Sequence, residues 1–137
     1  MVQIVQHPPS VVLVVVEGGE LILVRQSRVG SGTRTLELPS GKVEDDEAPV
    51  DAAARELAEE CGLAAQRLTA IGTFWAAPGY STELVHVFEA SGISQAGPAD
   101  LDDDEDIEVE RLPLAGALGE LDDAASIAAL ALWLELE

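Results

Sequence analysis

Basic residues are scarce in this chain: 7 Lys and Arg stand against 26 Asp and Glu, a formal net charge of −19. A field of that sign draws in neither a nucleic-acid backbone nor an anionic membrane, so both are excluded as general partners. Any phosphate must be captured locally. Cysteine is nearly absent as well. Cys61 alone forms no internal disulfide and suits a reducing compartment, and its place on an apolar helical side makes it a small core residue rather than a reactive thiol. Long apolar runs are missing, since Val11 to Val16 is far too short to span a bilayer. The amino terminus shows no basic n-region and no cleavage-site pattern, and the expectation is a cytoplasmic protein.

What is present is an apolar fraction of 47 % in 137 residues, enough for one domain, 1–137, with a sizeable core and too short for two. His7-Pro8-Pro9 sets an extended approach. Val11 to Val16 reads as a buried strand, Glu17-Gly18-Gly19 as a turn, and Glu20 to Gln26 as the returning strand of a hairpin. Arg25, Arg28 and Arg34 then cluster within ten positions of a chain otherwise nearly bare of cations. Guanidinium groups clamp phosphate oxygens through paired hydrogen bonds, and they also pair with neighbouring acids; both readings apply here. Leu36 to Leu38 alternates as a short strand that leads to Gly41.

The segment Gly41 to Leu63, GKVEDDEAPVDAAARELAEECGL, organises the rest. Pro49 suits the first helical position, acidic residues crowd the start, and Gly62 supplies a stop. At about 100° per residue, Val50, Ala54, Leu57 and Cys61 fall on one apolar side and Glu56, Glu59 and Glu60 share another. Carboxylates held that close repel unless a cation neutralises them, and oxygen ligands of this kind suit Mg2+ or Mn2+. A bare acidic face would be merely solvated; the spacing of nine specified positions is what singles this one out. The segment resembles the Nudix box, G-x5-E-x7-R-E-U-x-E-E-x-G-U with U bulky and apolar, at every specified position.

That resemblance implies roles residue by residue. Glu56 and Glu60 would ligate the metal together with the Ser40 carbonyl, and Glu59 would be a further ligand or the base for the attacking water. Arg55 and Glu47 would orient the carboxylates. R-Q-x-R followed by E-L-P-S-G resembles the approach to the box in the ADP-ribose pyrophosphatase branch, which would place Glu37 beside the metal cluster. Pro78, sixteen residues beyond Gly62, and the wording P-G-x-S-x-E resemble that branch too; Pro78 and Tyr80 could wall a nucleoside, or form a plain turn. Gln66 to Ala76 and Thr82 to Ala90 read as the strands on either side of it. Ser91 to Ala99 reads as a flexible loop running into the acidic stretch Leu101 to Asp106. By resemblance this loop brings a base, Glu105 first, with Asp103 and Asp104 behind it. Ile107 to Leu112 would close the sheet. Asp122 to Leu136 reads as an amphipathic helix capped by Asp122 or Asp123 and apolar at Ile127, Leu130 and Leu134, with Trp133 alongside.

The fold class expected is α/β, a mixed sheet between helices in the α/β/α sandwich that the resemblance implies. The activity expected is metal-dependent hydrolysis of a nucleoside diphosphate linked to another group, ADP-ribose to AMP and ribose 5-phosphate. The alternatives are another nucleotide substrate (a sugar nucleotide, a dinucleotide or an oxidised nucleotide) or a sensor that binds without cleaving. The branch commonly forms homodimers that exchange an amino-terminal strand region and so help to hold adenine. Only about ten residues precede the first core strand here, so base recognition is expected to lie elsewhere, and a homodimer rests on resemblance alone. An isomerase on the same scaffold would need a catalytic cysteine, and Cys61 faces the wrong way.

Overall fold

The computed structural model describes residues 2–103 and 105–137. Its axis is β1 (Ser10–Glu17), the unbroken aliphatic strand. A strand can be apolar at every position only when both of its faces are covered, and that is what happens. Val11, Leu13 and Val15 point to a cluster that includes Ala52, Ala53 and Leu57 of α1 (Pro49–Cys61). Val12 and Val14 point the other way, towards Ala129, Leu130 and Trp133 of α2 (Ala124–Leu136). Each fully buried Val or Leu stabilises the fold by roughly 1.5–3 kcal/mol, so this strand contributes strongly to both halves of the core.

Around it the sheet is mixed. β1 pairs antiparallel with β2 (Glu20–Arg28) and β4 (Ser40–Lys42), and parallel with β6 (Leu84–Gln95). β2 carries β3 (Thr33–Glu37) and β7 (Glu108–Pro113) as antiparallel partners, and β5 (Leu63–Trp75) closes the far edge against β6. With one helix on each face, the seven-stranded sheet forms the expected α/β/α sandwich. Among the described residues no helix is long and apolar enough to cross a membrane.

Four expectations need correction. Residues Ser91 to Gln95 are strand rather than loop, and β5 starts at Leu63 rather than Gln66. Leu63 faces Gln95 and Ala65 faces Ile93, and the partly buried Ala65 and Ile93 join the α1-side cluster, so this apolar alternation outweighs the local glycine and serine. In α1, Val50 is 41 % exposed and Ala54 is exposed, while Ala52, Ala53, Leu57 and Glu60 are buried. The helix is therefore rotated to tuck a carboxylate inward. In α2, Ile127 and Leu134 face outward, and Ser126, Ala129, Leu130 and Trp133 face inward. The Ser126 hydroxyl accepts from the Leu38 amide (2.9 Å) and the Trp133 Nε1 donates to Glu89, so two polar anchors set this rotation. Asp123 is the N-cap, accepting from the Ser126 amide (3.3 Å), and Asp122 instead accepts from the Leu36 amide (2.7 Å).

Candidate active site

β4 is only three residues long, but it lays Ser40 and Gly41 beside the start of β1 and directly under α1. A Cβ on Gly41 would lie 2.1 Å from the carboxyl carbon of Glu56, so any other residue here would push the Glu56 carboxylate out of its place. The Ser40 amide donates to Glu60 Oε1 (3.0 Å). At its other end α1 stops at Gly62, whose φ of 67° is left-handed and whose amide returns to the Ala58 carbonyl. The box helix is thus fixed by a glycine at each side of its charged face.

Arg55 joins the acids. Its Nε and Nη2 donate to the two oxygens of Glu47 (2.9 and 3.0 Å), and Nη2 also reaches the Lys42 carbonyl (2.9 Å). Its Nη1 donates to Glu56 (2.7 Å) and Glu59 (3.2 Å). These hydrogen bonds hold the Glu47 carboxyl down at about 2 and raise the Arg55 guanidinium above its ordinary value. Glu56 and Glu60 go the other way. Burial pushes Glu56 up to about 7, outweighing the opposite pull of Arg55. Glu60, only 5 % exposed, is pushed up to about 8 by burial and by Glu56, against the pull of the Ser40 amide.

Arg55 thus pairs with the partly buried Glu56 but not with the buried Glu60, whose nearest donor is the Ser40 amide, and Glu105 adds to the repulsion on both. Among the described residues no three His, Cys, Asp or Glu side chains converge into a ready-made cation cage; Arg55 spreads across Glu47, Glu56 and Glu59 instead. The set nevertheless fits a hard divalent cation, because its donors are all oxygen and its buried negative charge exceeds its positive charge.

A cavity of about 1050 Å³ opens over this face and is lined by Arg28, Glu37, Ser40, Gly41, Arg55, Glu56, Glu59, Glu60 and Glu105 among others. Glu47 stands behind Arg55, away from the wall. Arg28 reaches the cavity with both nitrogens on Glu37 (2.8 Å each), and Glu37, 4 % exposed, also accepts from Thr35 (2.6 Å). Arg25 and Arg34 are not on the wall: Arg25 pairs with Glu110 (2.5 Å) and Arg34 with Asp106 (2.5 Å). In so acidic a chain each of these guanidiniums meets a carboxylate on the neighbouring strand or loop. Pro78 and Tyr80 also stay off the wall, in the turn between β5 and β6, where the Tyr80 carbonyl accepts from the Val5 amide (2.6 Å). Asp103 is exposed, and Asp104 lies outside the described residues.

Sequence reasoning missed part of the lining. His7, Ser10, Glu83, Asp122 and Asp123 all face the cavity. Glu83 accepts from the Ser10 hydroxyl (2.5 Å) and lies 3.7 Å from His7. Its signal was present in P-G-x-S-x-E, but pairing it with Ser10 takes the parallel β1–β6 contact, which no local pattern reveals.

A NUDIX domain matches residues 6–134, so the chain belongs to the Nudix family. It is 42 % identical over 118 residues to an ADP-ribose pyrophosphatase of Bacillus subtilis (strain 168), which covers 85 % of this chain and 64 % of that protein. It is 34 % identical over 118 residues to a methanol dehydrogenase activator of Bacillus methanolicus, with the same coverage of 85 % and 64 %. The chain therefore spans a little less than two thirds of the length of these relatives. Among solved structures, that of an ADP compounds hydrolase superposes with a TM-score of 0.84 at 28 % identity, covering 93 % of this chain and 71 % of the other.

Proposed function

We propose that the chain is a divalent-cation-dependent pyrophosphohydrolase acting on a nucleoside diphosphate linked to a second group, with ADP-ribose split into AMP and ribose 5-phosphate. The observation that carries this reading is the pair Glu56 and Glu60, partly and fully buried at one side of a cavity large enough for a nucleotide, where burial raises both carboxyls and a bound cation would offset that cost. The similarity to an ADP-ribose pyrophosphatase and to an ADP compounds hydrolase supports the choice of substrate.

Glu56, Glu60, Glu59 and the Ser40 carbonyl are the residues that would hold Mg2+ or Mn2+. When bound, such an ion offsets pyrophosphate charge and acidifies water. Arg55, locked by Glu47, keeps Glu56 and Glu59 in orientation. Glu105 takes the proton as the water oxygen bonds to phosphorus, and the bond from that phosphorus to the bridging oxygen breaks. Glu59 is the less suitable base because a charged guanidinium, Arg55, donates to one of its oxygens, whereas the donor on Glu105 is the neutral Asp102 amide (2.8 Å). The protein itself forms no covalent intermediate. A net charge of −19 and a single cysteine fit a cytoplasmic enzyme for small nucleotides, and a homodimer is compatible with this reading.

The test is incubation with magnesium and a panel of ADP-ribose, sugar nucleotides, dinucleotides and oxidised nucleotides, with product identification. AMP and ribose 5-phosphate in equal amounts are expected. Turnover of a different member would reassign the substrate, and none at all would remove the enzyme.

A further inference from the structure

The β2–β7 ladder has its last rung at Arg25 opposite Glu108. Continued in the same register, it would set Asp106 opposite Ser27. There the main chain leaves the sheet, and a side chain takes over the rung: the Ser27 amide donates to Asp106 Oδ1 (3.1 Å) and the Ser27 hydroxyl to Oδ2 (2.6 Å). On the other side of Ser27, at its partner position in β3, stands Arg34. Arg34 reaches across with Nη1 to Asp106 Oδ2 (2.5 Å) and Nη2 to the Asp106 carbonyl (3.2 Å). One row of three side chains therefore crosses the edge of the sheet at the point where the acidic loop begins.

The next residue is Glu105, which lines the cavity while Asp106 is held at the strand end. The far end of the same loop is tied to α1, where the Ala96 amide donates to the Gly62 carbonyl (2.9 Å) and the Asp100 amide to the Glu59 carbonyl (2.9 Å). Glu105 closes a turn with Asp102, whose amide donates to Glu105 Oε1 (2.8 Å) and whose carbonyl accepts from the Glu105 amide (2.9 Å); with the far end anchored to the box helix, the placement of that turn depends on where β7 ends.

We propose that the Arg34–Ser27–Asp106 row is a clasp that sets the length of β7 and so positions Glu105 over the cavity. The inference rests on the hydrolase reading and deepens it: Arg34 and Asp106 are positioning residues for the base and do not touch substrate. Their effect belongs to the chemical step, because a proton acceptor displaced by about 1 Å loses rate while substrate held by the rest of the cavity binds as before.

The experiment compares Asp106→Ala, the milder Asp106→Asn, and Arg111→Gln as a control on the exposed Arg111–Glu17 pair at the other end of β7. Residue-resolved amide exchange and magnesium-supported ADP-ribose kinetics are measured on each. In Asp106→Ala the Ser27 amide should exchange at least about tenfold faster while core amides such as Val14 and Leu23 are unchanged. Its kcat should fall at least roughly tenfold with KM within about threefold, Asp106→Asn should fall between, and Arg111→Gln should match wild type. If Asp106→Ala does not fold, Asp106→Asn decides by the same two readouts. A Ser27 amide as protected as in wild type overturns the clasp, and a loosened amide with unaltered kcat overturns its link to Glu105. A wild-type chain inert on every substrate counts against the hydrolase reading alone, and Ser27 exchange still decides the clasp.

Discussion

The helices α1 and α2 have the same length, 13 residues, and cover opposite faces of the same sheet, but they are oriented by different forces. α2 is apolar nearly all round and exposes Ile127 and Leu134 at 41 and 42 %; its rotation is chosen by Leu130 and Trp133 packing and by the Ser126 and Trp133 hydrogen bonds. α1 leaves Val50 41 % exposed and buries Glu60 at 5 %. Hydrophobicity alone would turn it the other way, since burying a carboxylate costs free energy unless it is neutralised or paired. One face of the sheet is therefore built for stability, and the other spends some of it on a site.

Three measurements sharpen that contrast, in decreasing order of expected effect. Glu60→Gln should lower magnesium-supported turnover by at least roughly 100-fold, because on the proposed reading a ligand oxygen is replaced by a weaker one. The same change should leave Tm in chelator undiminished near neutral pH, since a carboxyl that holds its proton up to about 8 is already neutral there and the glutamine oxygen can still accept from the Ser40 amide; near-normal turnover would contradict the ligand role. Leu130→Ala in α2 should do the reverse, costing about 2–5 kcal/mol in denaturant unfolding while the folded fraction keeps its kcat. A loss of kcat without a loss of stability there would erase the division between the faces.

The third concerns pH. The folded chain holds the Glu56 and Glu60 protons up to about 7 and about 8, whereas an unfolded chain releases them near the ordinary glutamate value. The native state then binds more protons, so this contribution to stability is complete below the unfolded value and is lost as pH rises through about 8. In chelator, stability should decline by on the order of 2 kcal/mol between pH 5 and pH 8, read as Tm. Magnesium should flatten the decline and Glu60→Gln should shrink it. A decline of equal size in Glu60→Gln would assign it to the overall negative charge instead.

Much of this was legible in the chain. The run Val11 to Val16, the box from Gly41 to Leu63 and the terminal helix were all readable, because burial on two faces, helical spacing and end signals are local properties. The arginines were harder. Arg25, Arg28 and Arg34 looked alike as a cluster, and only strand pairing separates the one on the cavity wall from the two committed to Glu110 and Asp106. Cys61, read from the sequence as a small core residue, is partly buried against the α1-side cluster, and burial pushes its thiol up to about 12.

By itself the sequence determined the identity and spacing of the charged residues, since a helix converts separation along the chain into position around an axis. The tertiary structure alone decided which charges are buried and which are spent on one another. Glu60 is inside because β4 brings the Ser40 amide to it, and Arg34 is away from the cavity because β3 places it beside Ser27 and Asp106. Those outcomes depend on strands far apart in the chain meeting in one register, and desolvation, which sets their energies, exists only once they have met.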